Sequence, residues 1–138
     1  MFRMPIDVTD LDARRLRAML SAFDDRSGPG RRELNQLRGE LERARVVPAH
    51  EVSERVVTMR SEVLLRDLDS QQEFTCTLSY PEESDVDTGR ISVLAPVGTA
   101  ILGYREGTVV EWEVPAGRRR LRIEKILYQP EASGHFDR

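Results

Sequence analysis

The apolar positions of this chain change period once, near Pro48. Before that point they follow a helix: Leu11, Leu16, Met19, Leu20 and Phe23 fall on one side, and Leu34, Leu37, Leu41 and Ala44 recur at alternating steps of three and four. The second spacing is that of a coiled-coil seam. Thr9, with Asp12 three residues on, resembles a capping box, and Asp10 and Asp12 carry negative charge where a helix dipole favours it. The stretch "DDRSGPG" interrupts the pattern with Gly28, Pro29 and Gly30. A short connection between two helices with one apolar stripe each predicts an antiparallel helical hairpin, about 15 residues per arm, with Asp24 and Asp25 at its tip.

After Pro48 the period becomes that of strands. "RVVTMRSEVLLRDL" and "QQEFTCTLSY", rich in β-branched and apolar residues and separated by a polar turn, predict a β-hairpin. The acidic loop "PEESDVDTG" leads to "RISVLA", and further on "TVVEWEVP" and "RRRLRIEKILY" flank a turn at "AGR". The fold class is therefore α+β: an N-terminal short antiparallel coiled-coil hairpin over 1–47 and a second unit over 48–138, an antiparallel sheet with one short helix against it.

One segment resists this scheme. "GRISVLAPVGTAILG" is apolar enough for a buried strand, yet Pro96 denies the ladder a donor and Gly98 weakens it, so the strand must stop near Ala95. The residues from Val97 to Leu102 are few for an ordinary helix and apolar for a loop. Ile101 and Leu102 are expected in the core, whereas Leu94, Ala95, Pro96 and Val97 form a candidate apolar turn for a partner.

Charge and chemistry remove more options than they add. With 21 basic against 24 acidic residues the chain is near balance, which gives no reason to expect a general nucleic-acid coat. The densest basic cluster, Arg118, Arg119, Arg120 and Arg122, alternates with Leu121 and Ile123 and reads first as the wet face of a strand. Cys76 stands alone in a strand pattern, so packing is expected of it and disulfides are not. No stretch approaches the roughly 20 apolar residues of a membrane span, and "MFRMPIDVTD" does not resemble a signal peptide, which points to a cytoplasmic protein. His50 and His135 have no ligand-spaced partner, "GPGRRE" lacks the Lys-Ser/Thr of a phosphate loop, and no Ser or Cys has a motif-ordered base. No catalytic residue, metal site or cofactor is expected, and an enzyme is disfavoured.

From about Val57 to Glu131 the chain resembles the C-terminal domain of the bacterial Gre transcription factors. The resemblance lies in "YPEESD", "GRISVLAPVGTAILG" and "EGTVVEW". The terminal "YQPEASG", and "LAPVG" where the Gre pattern has a serine before the proline, bring it nearer to the short Rnk-type members of that family, regulators of nucleoside diphosphate kinase. The resemblance implies an FKBP-like α+β domain behind a coiled coil. It also implies docking on RNA polymerase, on the coiled-coil rim of the largest catalytic subunit beside the secondary channel, through the proline turn, here Leu94, Ala95, Pro96 and Val97. Ala95 replaces the serine of that pattern, so a hydrogen bond from that hydroxyl is lost.

In Gre factors an acidic coiled-coil tip reaches the polymerase active centre, helps hold a catalytic magnesium and provokes transcript cleavage. Asp24 and Asp25 occupy the tip here, but arms of about 15 residues reach only about 20–25 Å, roughly half the Gre length. The expectation is a monomeric polymerase binder that competes with Gre factors without stimulating cleavage. The alternatives are a Gre-type cleavage factor and a protein-level regulator of nucleoside diphosphate kinase. A peptidyl-prolyl isomerase is a weaker alternative, because Phe74, Tyr104, Trp112 and Tyr128 are too scattered to line a pocket.

Overall fold

A computed structural model describes residues 6–22, 31–114 and 117–134. Two strands and two helices come first: β1 (Asp7–Thr9), α1 (Asp10–Ala22), α2 (Arg31–Arg43) and β2 (Arg45–Val47). After them come β3 (Glu62–Asp67), β4 (Glu73–Ser79), β5 (Arg90–Ser92), α3 (Pro96–Ile101), β6 (Val109–Val114) and β7 (Gly117–Tyr128). The architecture is α+β.

The start of α1 is set by Thr9, whose Oγ1 accepts from the Asp12 N–H at 3.0 Å. Only this half of the capping box forms. The Asp12 carboxylate accepts from the Met59 N–H, 47 residues on, at 3.0 Å. Leu16 and Leu20 of α1 and Leu34, Leu37 and Leu41 of α2 are buried in one apolar cluster, with Met19 and Ala44 packed against it. Each helix has 13 residues. The connection with Asp24 and Asp25, and Phe23 before it, lies outside the described residues.

The main sheet has the order β5-β4-β3-β7-β6. Its hairpin β3–β4 and the pairs β3–β7 and β6–β7 are antiparallel as expected, but β4 and β5 run parallel. The sheet is thus mixed. The reason lies in the connection: the acidic loop winds through two short 3-10 turns at Pro81–Glu83 and Val86–Thr88, and carries the chain back to the other end of β4 before β5 begins. The expected first strand is also shorter than "RVVTMRSEVLLRDL". Residues 55–61 form a loop rather than ladder, although Val56, Val57 and Met59 within it are fully buried. A second, two-stranded sheet pairs β1 with β2 in parallel, through Asp7↔Arg45 to Thr9↔Val47. Three-residue strands leave no alternation to read.

Inside the main sheet the faces separate cleanly. Val63, Leu65, Cys76, Leu78, Leu121 and Ile123 point to the core, as do Ile101 and Leu102 of the segment after β5. The same cluster continues into the helices and Ile6, so the two halves of the chain share one apolar interior. Burial pushes the Cys76 thiol up to about 12, which leaves it protonated and unreactive at neutral pH. Packing accounts for this cysteine.

Candidate docking turn and arginine face

The puzzling apolar segment resolves into a strand, a tight turn and a one-and-a-half-turn helix. β5 ends at Ser92, earlier than the Ala95 expected from Pro96, because the Ser92 side chain and carbonyl break the ladder: Ser92 Oγ accepts from Leu94 N–H at 3.0 Å and Ser92 O from Ala95 N–H at 3.0 Å. A helix of six residues comes next. Pro96 stands at its first position, where a missing N–H costs nothing and the fixed φ suits the helix. The helix opens on its first i→i−4 bond, Thr99 N–H to Ala95 O at 3.0 Å, and Thr99 Oγ1 ties it back to the turn by donating to Val93 O at 2.6 Å.

Two of the three glycines of this segment, Gly98 and Gly103, are required by contact. A Cβ on Gly98 would stand 2.2 Å from Ser92 O and 2.9 Å from the Val93 Cα, so only glycine lets α3 lie against β5. Gly103 has φ of 81°, and a Cβ there would meet the Ile6 side chain at 2.5 Å. Its carbonyl accepts the Asp7 N–H at 3.3 Å, which ties β1 to the end of this segment.

Of the four residues expected to dock, Pro96 is exposed, Leu94 and Ala95 are half-buried, and Val97 is buried at 7%. The apolar patch is therefore Leu94-Ala95-Pro96, and Val97 supports it from beneath. Ala95 holds the cap position of α3, in extended backbone with no side-chain hydrogen bond. A serine hydroxyl at this position would reach the Val97 or Gly98 N–H. Ala95→Ser is accordingly expected to stabilise the fold by about 1 kcal/mol, seen as a thermal midpoint about 3–5 °C higher. An unchanged or lower midpoint would show that the half-buried site has no room for the hydroxyl.

The arginine strand carries matching acids. Arg118 pairs with Glu111 at 3.4 Å, Arg120 with Asp69 at 3.6 Å and Arg122 with Glu124 at 3.3 Å. Arg119, on the opposite side of β7, meets Asp67 at 2.6 Å, and this guanidinium holds the Asp67 carboxyl below the usual carboxylate range. Four arginines so matched offer little uncompensated charge to a phosphate backbone. Of the α1 arginines, Arg14 and Arg17 are exposed, whereas Arg15 is half-buried. Among the described residues no cluster of His, Cys, Asp or Glu could hold a metal ion. His50 is exposed on a short turn, and His135 lies outside the described residues. Likewise, no described helix is long and apolar enough to cross a membrane.

A polar cluster that the sequence pattern did not reveal lies between α1 and the sheet. Asp12, Thr58, Ser61, Gln129 and Glu131 are all buried there, and Arg60 forms a bidentate pair with Glu83 at 3.1 and 2.6 Å while lying 5.3 Å over the Tyr80 ring. Desolvation raises the Asp12 carboxyl to about 7, against the opposing pull of the Met59 hydrogen bond. The only sequence-level sign was an aspartate at the third position of a helix, which reads equally well as a dipole charge.

The family model for the GreA/GreB transcription elongation factor C-terminal region matches residues 52–128, and that for the Rnk N-terminus matches residues 5–47. The chain belongs to the GreA/GreB family. Within it, the chain is 36% identical over 137 residues to the regulator of nucleoside diphosphate kinase of Escherichia coli K12, covering 99% of this chain and 98% of that one. It is 37% identical over 105 residues to transcription elongation factor GreA of Desulfotalea psychrophila, covering 76% of this chain but 65% of that longer protein. The solved structure of a GreA/GreB transcription elongation factor from Nitrosomonas europaea superposes with a TM-score of 0.73 at 41% identity, over 91% of this chain and all of that one.

Proposed function

We propose that this protein is a transcription regulator that docks on RNA polymerase at the secondary channel, competes there with Gre factors, and does not stimulate transcript cleavage. The sheet unit acts as the FKBP-like docking domain of the family, and α1 and α2 act as a short antiparallel coiled-coil hairpin. The observation that carries the reading is the turn Leu94-Ala95-Pro96, held out by Gly98 and the Thr99 bonds with the proline exposed. A rigid proline turn presents apolar area at small ordering cost.

Helix length supports the second half of the reading. Thirteen residues per helix span about 20 Å, roughly half of what the resemblance attributes to cleaving members. Carboxylates that stop short by that distance cannot ligate a magnesium ion, which needs its oxygens at about 2.1 Å. The full-length similarity to a regulator of nucleoside diphosphate kinase favours a second effect, control of that kinase through transcription or by contact.

One competition experiment tests the proposal. Core RNA polymerase stalled in a backtracked complex is incubated with a Gre factor and increasing amounts of this protein. Gre-dependent cleavage should fall with occupancy, and the protein alone should yield none. Pro96→Asp should abolish the competition while leaving the thermal midpoint nearly unchanged, as befits an exposed helix-start position. Cleavage by the protein alone, or full competition by Pro96→Asp, would overturn the reading. A direct effect of the purified protein on purified nucleoside diphosphate kinase would favour contact over transcription.

A further inference from the structure

The segment after β7 is used as a clamp. Gln129 Nε2 donates to Ser53 O at 2.8 Å and to Val56 O at 2.7 Å, and its Oε1 accepts from Ala132 N–H at 3.1 Å. Three of the four hydrogen-bonding options of this buried side-chain amide are thereby engaged. Two residues on, Glu131 Oε1 accepts from the Thr58 hydroxyl at 2.7 Å, and Thr58 in turn lies 2.9 Å from the Ser61 hydroxyl. Gln129, Thr58 and Ser61 are 3%, 1% and 0% exposed and Glu131 is 8% exposed. Buried polar groups of this kind hold geometry because each lost partner leaves another unpaired.

What they hold is the 56–61 loop, and that loop is the seat of the helices. Met59, between Thr58 and Arg60, offers its N–H to Asp12 in the first turn of α1. On its sheet side the loop is fixed by Arg60 N–H to Leu78 O at 2.6 Å and Leu78 N–H to Ser61 O at 3.0 Å. The loop is thus tied to α1, to β4, to the segment after α3 through Val57 N–H to Tyr104 O and Gly103 N–H to Val57 O, both at 2.9 Å, and to the segment after β7.

We propose that Gln129 and Glu131 are positioning residues, a latch that keeps the 56–61 loop in the shape that seats α1 on the sheet. Opening the latch frees the helices to change their angle while the sheet stays folded. The latch makes the direction in which the helices point depend on a segment far from them in sequence. It stands on hydrogen-bond geometry alone and is independent of the polymerase reading.

Distance measurements between spin labels in the full chain test this. Labels at Gln36→Cys on α2 and Lys125→Cys on β7 sit at exposed positions, and Cys76 is buried and protonated enough to escape labelling. The otherwise unaltered chain should give one narrow distance distribution. Glu131→Ala should broaden it or add a second population, and should speed amide exchange in α1 by about tenfold while Leu65, Leu121 and Ile123 keep their protection. Glu131→Gln retains an acceptor for the Thr58 hydroxyl and should restore the narrow distribution. If Glu131→Ala does not fold, Thr58→Val, which removes only the hydroxyl that reaches Glu131, takes its place. A distribution as narrow as the parent's in the folded variant overturns the latch, as does equal loss of protection in α1 and the sheet.

Discussion

Leu37→Ala is expected to destabilise this protein by about 2–5 kcal/mol, the range for truncating a fully buried leucine, and to do so in a single calorimetric transition. Leu37 is 0% exposed. It belongs to a cluster that runs without interruption from Leu16 and Leu41 through Ile6, Met59 and Ile101 to the sheet residues Leu65 and Leu121. Neither half buries its apolar face without the other, and helices of 13 residues are marginal in water on their own. A cavity under α2 should therefore weaken the whole molecule, with an unchanged denaturant slope because the same surface is exposed on unfolding. The division at residue 48 is in this view one of sequence pattern and chain course. Two transitions, of which the substitution moves only one, would make it a division of stability as well.

The legible parts of the chain were those in which a residue type answers to one local demand. The leucines of α2 at steps of three and four, the alternation of Val63 and Leu65 with Leu64 and Arg66, and Leu121 and Ile123 among arginines each come from one apolar face. The proline turn was legible through Pro96, but its depth was not. Val97 is buried because α3 forms, and α3 forms because Gly98 has no Cβ to strike Ser92 O. A close approach of two backbones leaves one glycine as its only trace. Three-residue β1 and β2 carry no period at all, and the parallel β4–β5 pair depends on a loop path that polar composition does not specify. The polar cluster was hidden for a further reason. Asp12 and Met59 are 47 residues apart and Thr58 and Glu131 are 73 apart, and neither pair has a spacing that any local rule can read. The motif "YQPEASG" pointed to the family, whereas the structure shows Gln129 and Glu131 at work in the interior.

Asp12 should make stability fall as pH rises through the neutral range, opposite to the usual behaviour of a carboxylate. Burial is the first cause of its raised pKa, followed among the raising effects by the charge of Glu131, while the Met59 N–H, Thr9 and Arg15 oppose it. Tyr80 and Arg60, on the sheet side, also feel its charge. With a native pKa of about 7 against 3.8 in the unfolded chain, the native state keeps a proton that the unfolded state releases over this interval. The contribution is complete below about pH 4, shrinks as pH climbs, and is gone above about 7, a total of about 4 kcal/mol. Asp67 and Glu83, whose carboxyls are held low by Arg119 and Arg60, act in the reverse sense and remove stability as pH falls into the acid range. The parent should therefore be most stable in mildly acidic solution. Asp12→Asn keeps an acceptor for the Met59 N–H and cannot ionise, so the difference between variant and parent isolates this one group. That difference, from urea unfolding at constant ionic strength, should move in the variant's favour by about 2–3 kcal/mol between pH 5 and pH 8. A difference that stays flat across this interval would mean that Asp12 is ionised in the native protein throughout, stabilised by Arg15 and the Met59 bond beyond what its burial costs.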